Sequence, residues 1–148
     1  MSPGTVHRFI ALARERDRLG DPLIRQQIAE LHTRVQVITW NARRAKAGTG
    51  NRTGVEGSLA KVAMTEAVRR GRDLGCAILG PDAQLWGRDT ATDGWLQEVV
   101  VFSPAPGIYG GTDEIQRNII GERGLGLPKE PGPARDMPFS DLPANATR

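Results

Sequence analysis

The chain has 148 residues, 39% of them hydrophobic and 5% aromatic, and a net charge of +3; this is material for one domain with one core. Its basic and acidic residues are interspersed rather than segregated, which excludes a nucleic-acid-binding stripe. No apolar stretch approaches the ~18 to 20 residues needed to span a bilayer, so no membrane-spanning helix is expected.

The first predicted helix covers residues 4–18, where Val6, Phe9, Ile10 and Ala13 fall at helical spacing and Gly20 acts as a stop. Asp21 and Pro22 then supply a cap and a first-turn proline for a second helix. Its stripe is Ile24, Ile28, Leu31, Val35, Ile38 and Ala42, in steps of four and three. Leaving that stripe wet would forfeit roughly 1.5 to 3 kcal/mol for each large residue, so it must face a core. Residues 48–54 read as a polar loop. A third helix is predicted over 55–79, with Leu59, Val62, Ala63, Ala67, Leu74 and Ile78 on one face. Gly71 and Gly75 cost that helix about 1 kcal/mol each relative to alanine, which implies close approach of a partner helix or a ligand. Gly80 and Pro81 end it. Residues 82–110 form a long connection holding one short helix, Trp95 to Phe102, and a last helix starts at 113 and runs to 123.

These stripes predict an all-α protein, an up-and-down four-helix bundle over residues 1–127. Residues 128–148 are proline-rich and aperiodic, as expected of a disordered C-terminal tail. Cys76 is alone, so no internal disulfide is possible, and its apolar surroundings predict an inert buried thiol. The N-terminus has no apolar run of signal-peptide length, and a cytoplasmic protein is the expectation. His7 and His32 fit no metal spacing, and no Gly-x-Ser-x-Gly elbow is present. The pairs Arg43-Arg44 and Arg69-Arg70 read as solvated or dipole-complementing residues.

The most informative stretch is Ile108-Tyr-Gly-Gly-Thr-Asp-Glu-Ile-Gln-Arg-Asn-Ile-Ile-Gly-Glu-Arg123. Gly110 and Gly111 permit positive φ or close approach of the backbone to a ligand. Thr112 can cap a helix whose first turn carries Asp113 and Glu114, placed to serve the helix dipole. Such a helix start suits phosphate, carboxylate or a polar ring edge; a plain glycine turn between packed helices fits the spacing as well.

Tyr109-Gly-Gly-Thr-Asp-Glu-Ile-Gln-Arg-Asn-Ile-Ile120 resembles the C-terminal signature of the acyl-CoA dehydrogenases, FAD enzymes of fatty acid metabolism that introduce an α,β double bond into acyl thioesters. Ala13-Arg-Glu-Arg-Asp-Arg-Leu-Gly-Asp-Pro-Leu-Ile-Arg-Gln-Gln27 is similar to a second family segment, and the resemblance runs from about residue 5 to 128. Family members carry a helical domain, a β domain and a helical bundle, so a chain of this length corresponds to the last part. The resemblance implies a flavin between the β domain and the bundle, its pyrophosphate end reached from a neighbouring subunit. Arg16 matches the arginine that pairs with the FAD pyrophosphate, and reads equally as a solvated helix-end arginine. Arg18 and Leu19 occupy positions where the family has a small or polar residue and a phenylalanine lining the cofactor. Gln27 matches a glutamine of the family, and Gln26 stands in place of its histidine. Gly80 matches one glycine of a Gln-Ile-x-Gly-Gly run along the nucleotide, here Ala77-Ile-Leu-Gly-Pro81. Thr112 and Glu114 match cofactor-contacting positions, while Gln116 and Arg117 match positions that support the helix. Tyr109, Gly110 and Gly111 fall where the acyl-CoA substrate lies.

The principal departure concerns the catalytic base. Many family members place a glutamate where this chain has Gly110, and glycine accepts no proton. Other branches supply the glutamate from an earlier helix. The resemblance therefore implies a C-terminal FAD-contacting and oligomerisation domain that does not turn over alone, a homo- or hetero-oligomer with dehydrogenase subunits, and an electron-transferring flavoprotein as usual acceptor. A non-catalytic subunit completing a partner's FAD site, and a self-associating remnant, are the alternatives.

Overall fold

The computed structural model describes residues 2–48, 54–87, 90, 92–129, 132–133 and 136–141. Five α-helices form among them: α1 (Pro3–Glu15), α2 (Pro22–Ala47), α3 (Glu56–Leu79), α4 (Trp95–Phe102) and α5 (Asp113–Ile119). No strand occurs among the described residues, in keeping with the predicted all-α class.

α1 stops at Glu15, three residues before its expected end at 18. The Arg18 amide donates to the Ala13 carbonyl (2.7 Å) and the Asp17 amide to Arg14 (3.1 Å), while Asp17 takes a left-handed φ of 52°. This is a Schellman turn built on an aspartate rather than a glycine. α2 starts as expected, with the Asp21 carboxylate accepting from the amides of Leu23 (2.9 Å) and Ile24 (3.4 Å). Those amide bonds, with help from Arg18, outweigh partial burial and hold Asp21 below its ordinary pKa. Gly48 closes α2 with φ 64°.

Glu30, in the first half of α2, lies 3.6 Å from Arg70 in the second half of α3, as in an antiparallel pair. α1 covers one end of the pair, where Val6, Phe9, Leu12 and Ala13 join Ile24, Leu31, Val35, Ala67, Leu74, Ile78 and Leu79 in the core. At the other end the stripes run out of partners. Ala42 is exposed, as is every described residue from Trp40 to Gly48, and Leu59 remains 42% exposed. The expectation that the full α2 stripe is covered is thus corrected: α1 is too short to reach its last turns.

The position of a fourth helix is taken by two short ones. Leu96 of α4 packs onto Gly75, Arg72 bonds Ser103, Thr65 bonds Pro106, Lys61 and Arg69 meet Asp113, and Gly124 approaches Val55. Residues 95–124 therefore retrace α3 from its C-terminal to its N-terminal end, interrupted between Ser103 and Thr112. The last helix, expected through 123, is α-helical only to Ile119 and finishes as a single π turn, Ile120–Gly124. Of the predicted loop at 48–54, residues 49–53 lie outside the described residues, as does much of the predicted tail. The described Phe139–Asp141 form one 3-10 turn.

Candidate functional site

The interruption between α4 and α5 holds the glycine turn. Gly110 and Gly111 adopt φ of 65° and 88°, conformations that side-chain-bearing residues rarely take. The Thr112 hydroxyl accepts from the Ile115 amide (3.3 Å) and caps α5, and the Gln116 side-chain amide donates back across the turn to the Gly110 carbonyl (2.8 Å). Tyr109 is exposed, its ring 6.2 Å from that of Phe102.

Asp113 stands in the first turn of α5 as the sequence suggests, but away from solvent. Its side chain is 5% exposed and lies between Lys61 Nζ (3.3 Å) and Arg69 Nη2 (2.8 Å). Burial alone would raise its pKa. The Lys61 hydrogen bond and the charge and hydrogen bond of Arg69 outweigh that and hold it below the ordinary 3.8. Glu114 is exposed, and its carboxyl is lowered by hydrogen bonds from its own amide and the Thr112 hydroxyl. Gln116, expected to support the helix, also ties the turn.

The remaining predicted contact residues sit elsewhere. Arg16 pairs with Asp82 (2.9 Å), just past α3, with the two side chains 33% and 45% exposed. Arg18 pairs with Asp21 (3.0 Å), and Leu19 packs against the core beside Val6, Ile10 and Ile28. Gln27 is exposed on the second turn of α2, and Gly80 ends α3 with φ 59° and open space beyond its Cα. These residues share the end of the bundle where α1 and α3 finish. Tyr109, Gly110, Gly111, Thr112 and Glu114 share the other half, at the level of Thr65. Fifteen residues of α3 separate Thr65 from Gly80, about 22 Å at 1.5 Å per residue. The structure thus gathers the candidates into two groups and does not join them.

Lys61 and Asp82 belong to no motif of the sequence, and Arg69 pairs with Asp113 instead of being the solvated or dipole-complementing residue the sequence suggests. One signal was available: Lys61, Thr65 and Arg69 recur every four residues, a polar stripe on α3 that faces residues 106–113. Cys76 is half-buried rather than buried as expected; burial raises its thiol pKa, Asp73 adds to the rise and Arg72 opposes it. Among the described residues no cluster of histidine, cysteine and carboxylate side chains suits a metal ion, and no helix is long and apolar enough to cross a membrane.

Comparison with known proteins decides the family, because residues 4–125 match the family described as "Acyl-CoA dehydrogenase, C-terminal domain". The chain belongs to the acyl-CoA dehydrogenase family. It is 32% identical over 122 residues to acyl-CoA dehydrogenase IpdE1 of Mycobacterium tuberculosis, covering 82% of this chain and 31% of that protein. It is 33% identical over 122 residues to IpdE1 of Mycolicibacterium smegmatis, covering 82% of this chain and 30% of that one. This acyl-CoA dehydrogenase C-terminal domain thus spans under a third of the length of the curated relatives it matches. Among solved structures it resembles a chain of the ChsE4–ChsE5 complex from Mycobacterium tuberculosis, with a TM-score of 0.73 and 25% identity, covering 88% of this chain and 37% of that one.

Proposed function

We propose that this chain is the FAD-contacting and oligomerising C-terminal part of an acyl-CoA dehydrogenase, and that it catalyses nothing by itself. The single observation that carries the second half is the composition of the Tyr109–Glu114 turn. Position 110 is glycine. Asp113 is buried between two cations, and the exposed Glu114 has a lowered pKa and is spent on the cap. A base that removes an α proton works with a free carboxylate whose pKa lies near the working pH, and neither acid of the turn meets that requirement. The base must come from another segment or another subunit.

The two groups of polar residues suit the parts of a dinucleotide. Arg16, whose present partner Asp82 is itself well exposed, offers a guanidinium fork to a pyrophosphate, with the open Gly80 backbone and Gln27 at the same end. Thr112 and Glu114 would orient the other end from the glycine turn, and Tyr109, Gly110 and Gly111 would border the acyl thioester. Bound there, FAD supplies the hydride acceptor for the acyl β carbon. A ligand touching both groups must extend over about 22 Å, and in an oligomer the two groups are free to serve two different cofactors.

A second reading has this chain as a non-catalytic subunit that completes the FAD site of a separate dehydrogenase, with an electron-transferring flavoprotein as acceptor of the assembled enzyme. The hetero-complex among its structural neighbours supports it. One experiment divides the readings. The chain is purified alone and with full-length dehydrogenase subunits from the same cell, and flavin absorbance and its bleaching by acyl-CoA are recorded. Flavin retained only in the mixture, bleaching there, supports the assembling subunit. Bleaching by the chain alone overturns the account of the missing base.

A further inference from the structure

We infer that Arg69 is the positioning residue of the glycine turn, bonding one of its feet to α3 and packing beside the other through one guanidinium. The inference rests on the reading of that turn as ligand-contacting. Residues 108–111 are all exposed, and the two left-handed glycines among them have no side chain to hold them. The segments on either side are fixed. Before the turn, Pro106 and Gly107 are buried, and the Pro106 carbonyl accepts from the Thr65 hydroxyl (3.1 Å). Gly107 lies so close to α3 that a Cβ there would overlap Arg69 Nη2. After the turn, Asp113 Oδ2 takes a 2.8 Å bond from that same nitrogen, while Oδ1 faces Lys61 Nζ. One nitrogen on α3 thus bonds residue 113 and fills the space beside residue 107 where a side chain would stand.

The consequence is preorganisation. A flexible loop loses affinity to the cost of ordering it on binding, and anchoring both feet removes that cost beforehand. A side chain at 107 would push the guanidinium aside, since its Cβ would overlap Arg69 Nη2 and crowd Asp113 Oδ2. Arginine at 69 matters too, because its planar fork reaches the carboxylate with one nitrogen beside Gly107; lysine keeps the charge but not the shape. Lys61 then holds the second carboxylate oxygen and keeps Asp113 from turning away.

Tyr109 is the chain's single tyrosine, so one ring signal in a tyrosine-labelled NMR sample reports the turn directly. The amides of Ile108 and Tyr109, both bonded to the Ala105 carbonyl, and of Ile115 report its feet by hydrogen exchange. In Arg69→Met we expect exchange at these three amides to accelerate about 10- to 100-fold, the loss of a charged hydrogen bond, and the Tyr109 signal to broaden or shift. Amides of the α1–α2 core should stay as they were. Arg69→Lys should recover part of the protection, which general loosening of the fold would not explain. An unchanged Tyr109 signal and unchanged exchange in Arg69→Met overturn the clamp. Titration of the native chain, mixed with full-length dehydrogenase subunits, with FAD and butyryl-CoA tests the underlying reading separately. A Tyr109 signal that ignores both ligands, while Arg69→Met still loosens the feet, overturns the ligand-contacting turn and leaves Arg69 as a fold clamp only.

Discussion

A methyl group at position 75 would overlap the side chain of Leu96, which is fully buried. Helix propensity favours alanine there by about 1 kcal/mol, whereas forcing an extra carbon into a packed contact costs about 1 to 3 kcal/mol. Packing wins, and Gly75→Ala should lower the urea midpoint; a midpoint raised by the substitution would show that α4 yields easily. Asp113 carries a different liability. Its folded pKa lies below its ordinary 3.8, so its stabilising contribution is complete at neutral pH and fades as pH falls through and below that value. Asp113→Asn should destabilise the chain by about 2 to 3 kcal/mol at pH 7, because two cations lose their partner in a largely dry site. The gap between native and variant should shrink in acid. Circular dichroism melts at pH 7 and pH 3 measure both effects, and a gap that stays constant would mean that Asp113 titrates alike in the folded and unfolded chain. At this scale the sequence was a partial guide. The glycines of α3 announced a close approach, and Gly75 makes one with Leu96, but nothing local marked Asp113 as buried.

Helix boundaries depend on end geometry as much as on apolar spacing. α1 contains no break until Gly20, yet it ends at Glu15, because Asp17 adopts a left-handed conformation that lets Arg18 bond back to Ala13. Left-handed backbone costs a residue with a Cβ up to ~1 to 2 kcal/mol, less for aspartate, and glycine nothing. Asp17→Gly should therefore stabilise the chain by up to about 1 kcal/mol in thermal or urea unfolding, and a loss of stability would show that the Asp17 side chain has an unseen role. α4 and α5 illustrate a limit of pattern reading. Both were legible as short helices. That they jointly retrace α3 was not, because their contacts with Gly75, Arg72, Thr65 and Lys61 span tens of residues in sequence. The π turn at 120–124 is likewise a product of docking, in which Gly124 settles against Val55 at the start of α3.

Taken whole, the molecule leaves much apolar surface in water: Trp40, Trp86, Val101, Phe102, Ile108 and Leu125 are each more than half exposed. Val101, Phe102 and Ile108, with the Phe102 ring 6.2 Å from that of Tyr109, are where a partner subunit would find apolar side chains to cover. Val101→Lys with Ile108→Lys should weaken self-association, or association with a dehydrogenase subunit, by at least about tenfold, a change of roughly 1.4 kcal/mol. The unfolding midpoint should stay nearly unchanged, since both side chains are already wet. Sedimentation velocity over a concentration series measures the first, and unaltered association would place the interface elsewhere.

What the sequence by itself determined was the helical class, the positions of the helices to within a few residues, and the family, through two motifs whose spacing survives in this chain. Periodic burial, caps and glycine turns belong to one element at a time, and a linear reading captures them. Only the tertiary structure decided how those elements face one another. It shows that the motif residues form two groups rather than one, that α2 outruns its cover, and that Asp113 is sealed between Lys61 and Arg69. Such pairings depend on the register of one helix face against another, set by packing of the whole core, and short-range spacing does not encode it.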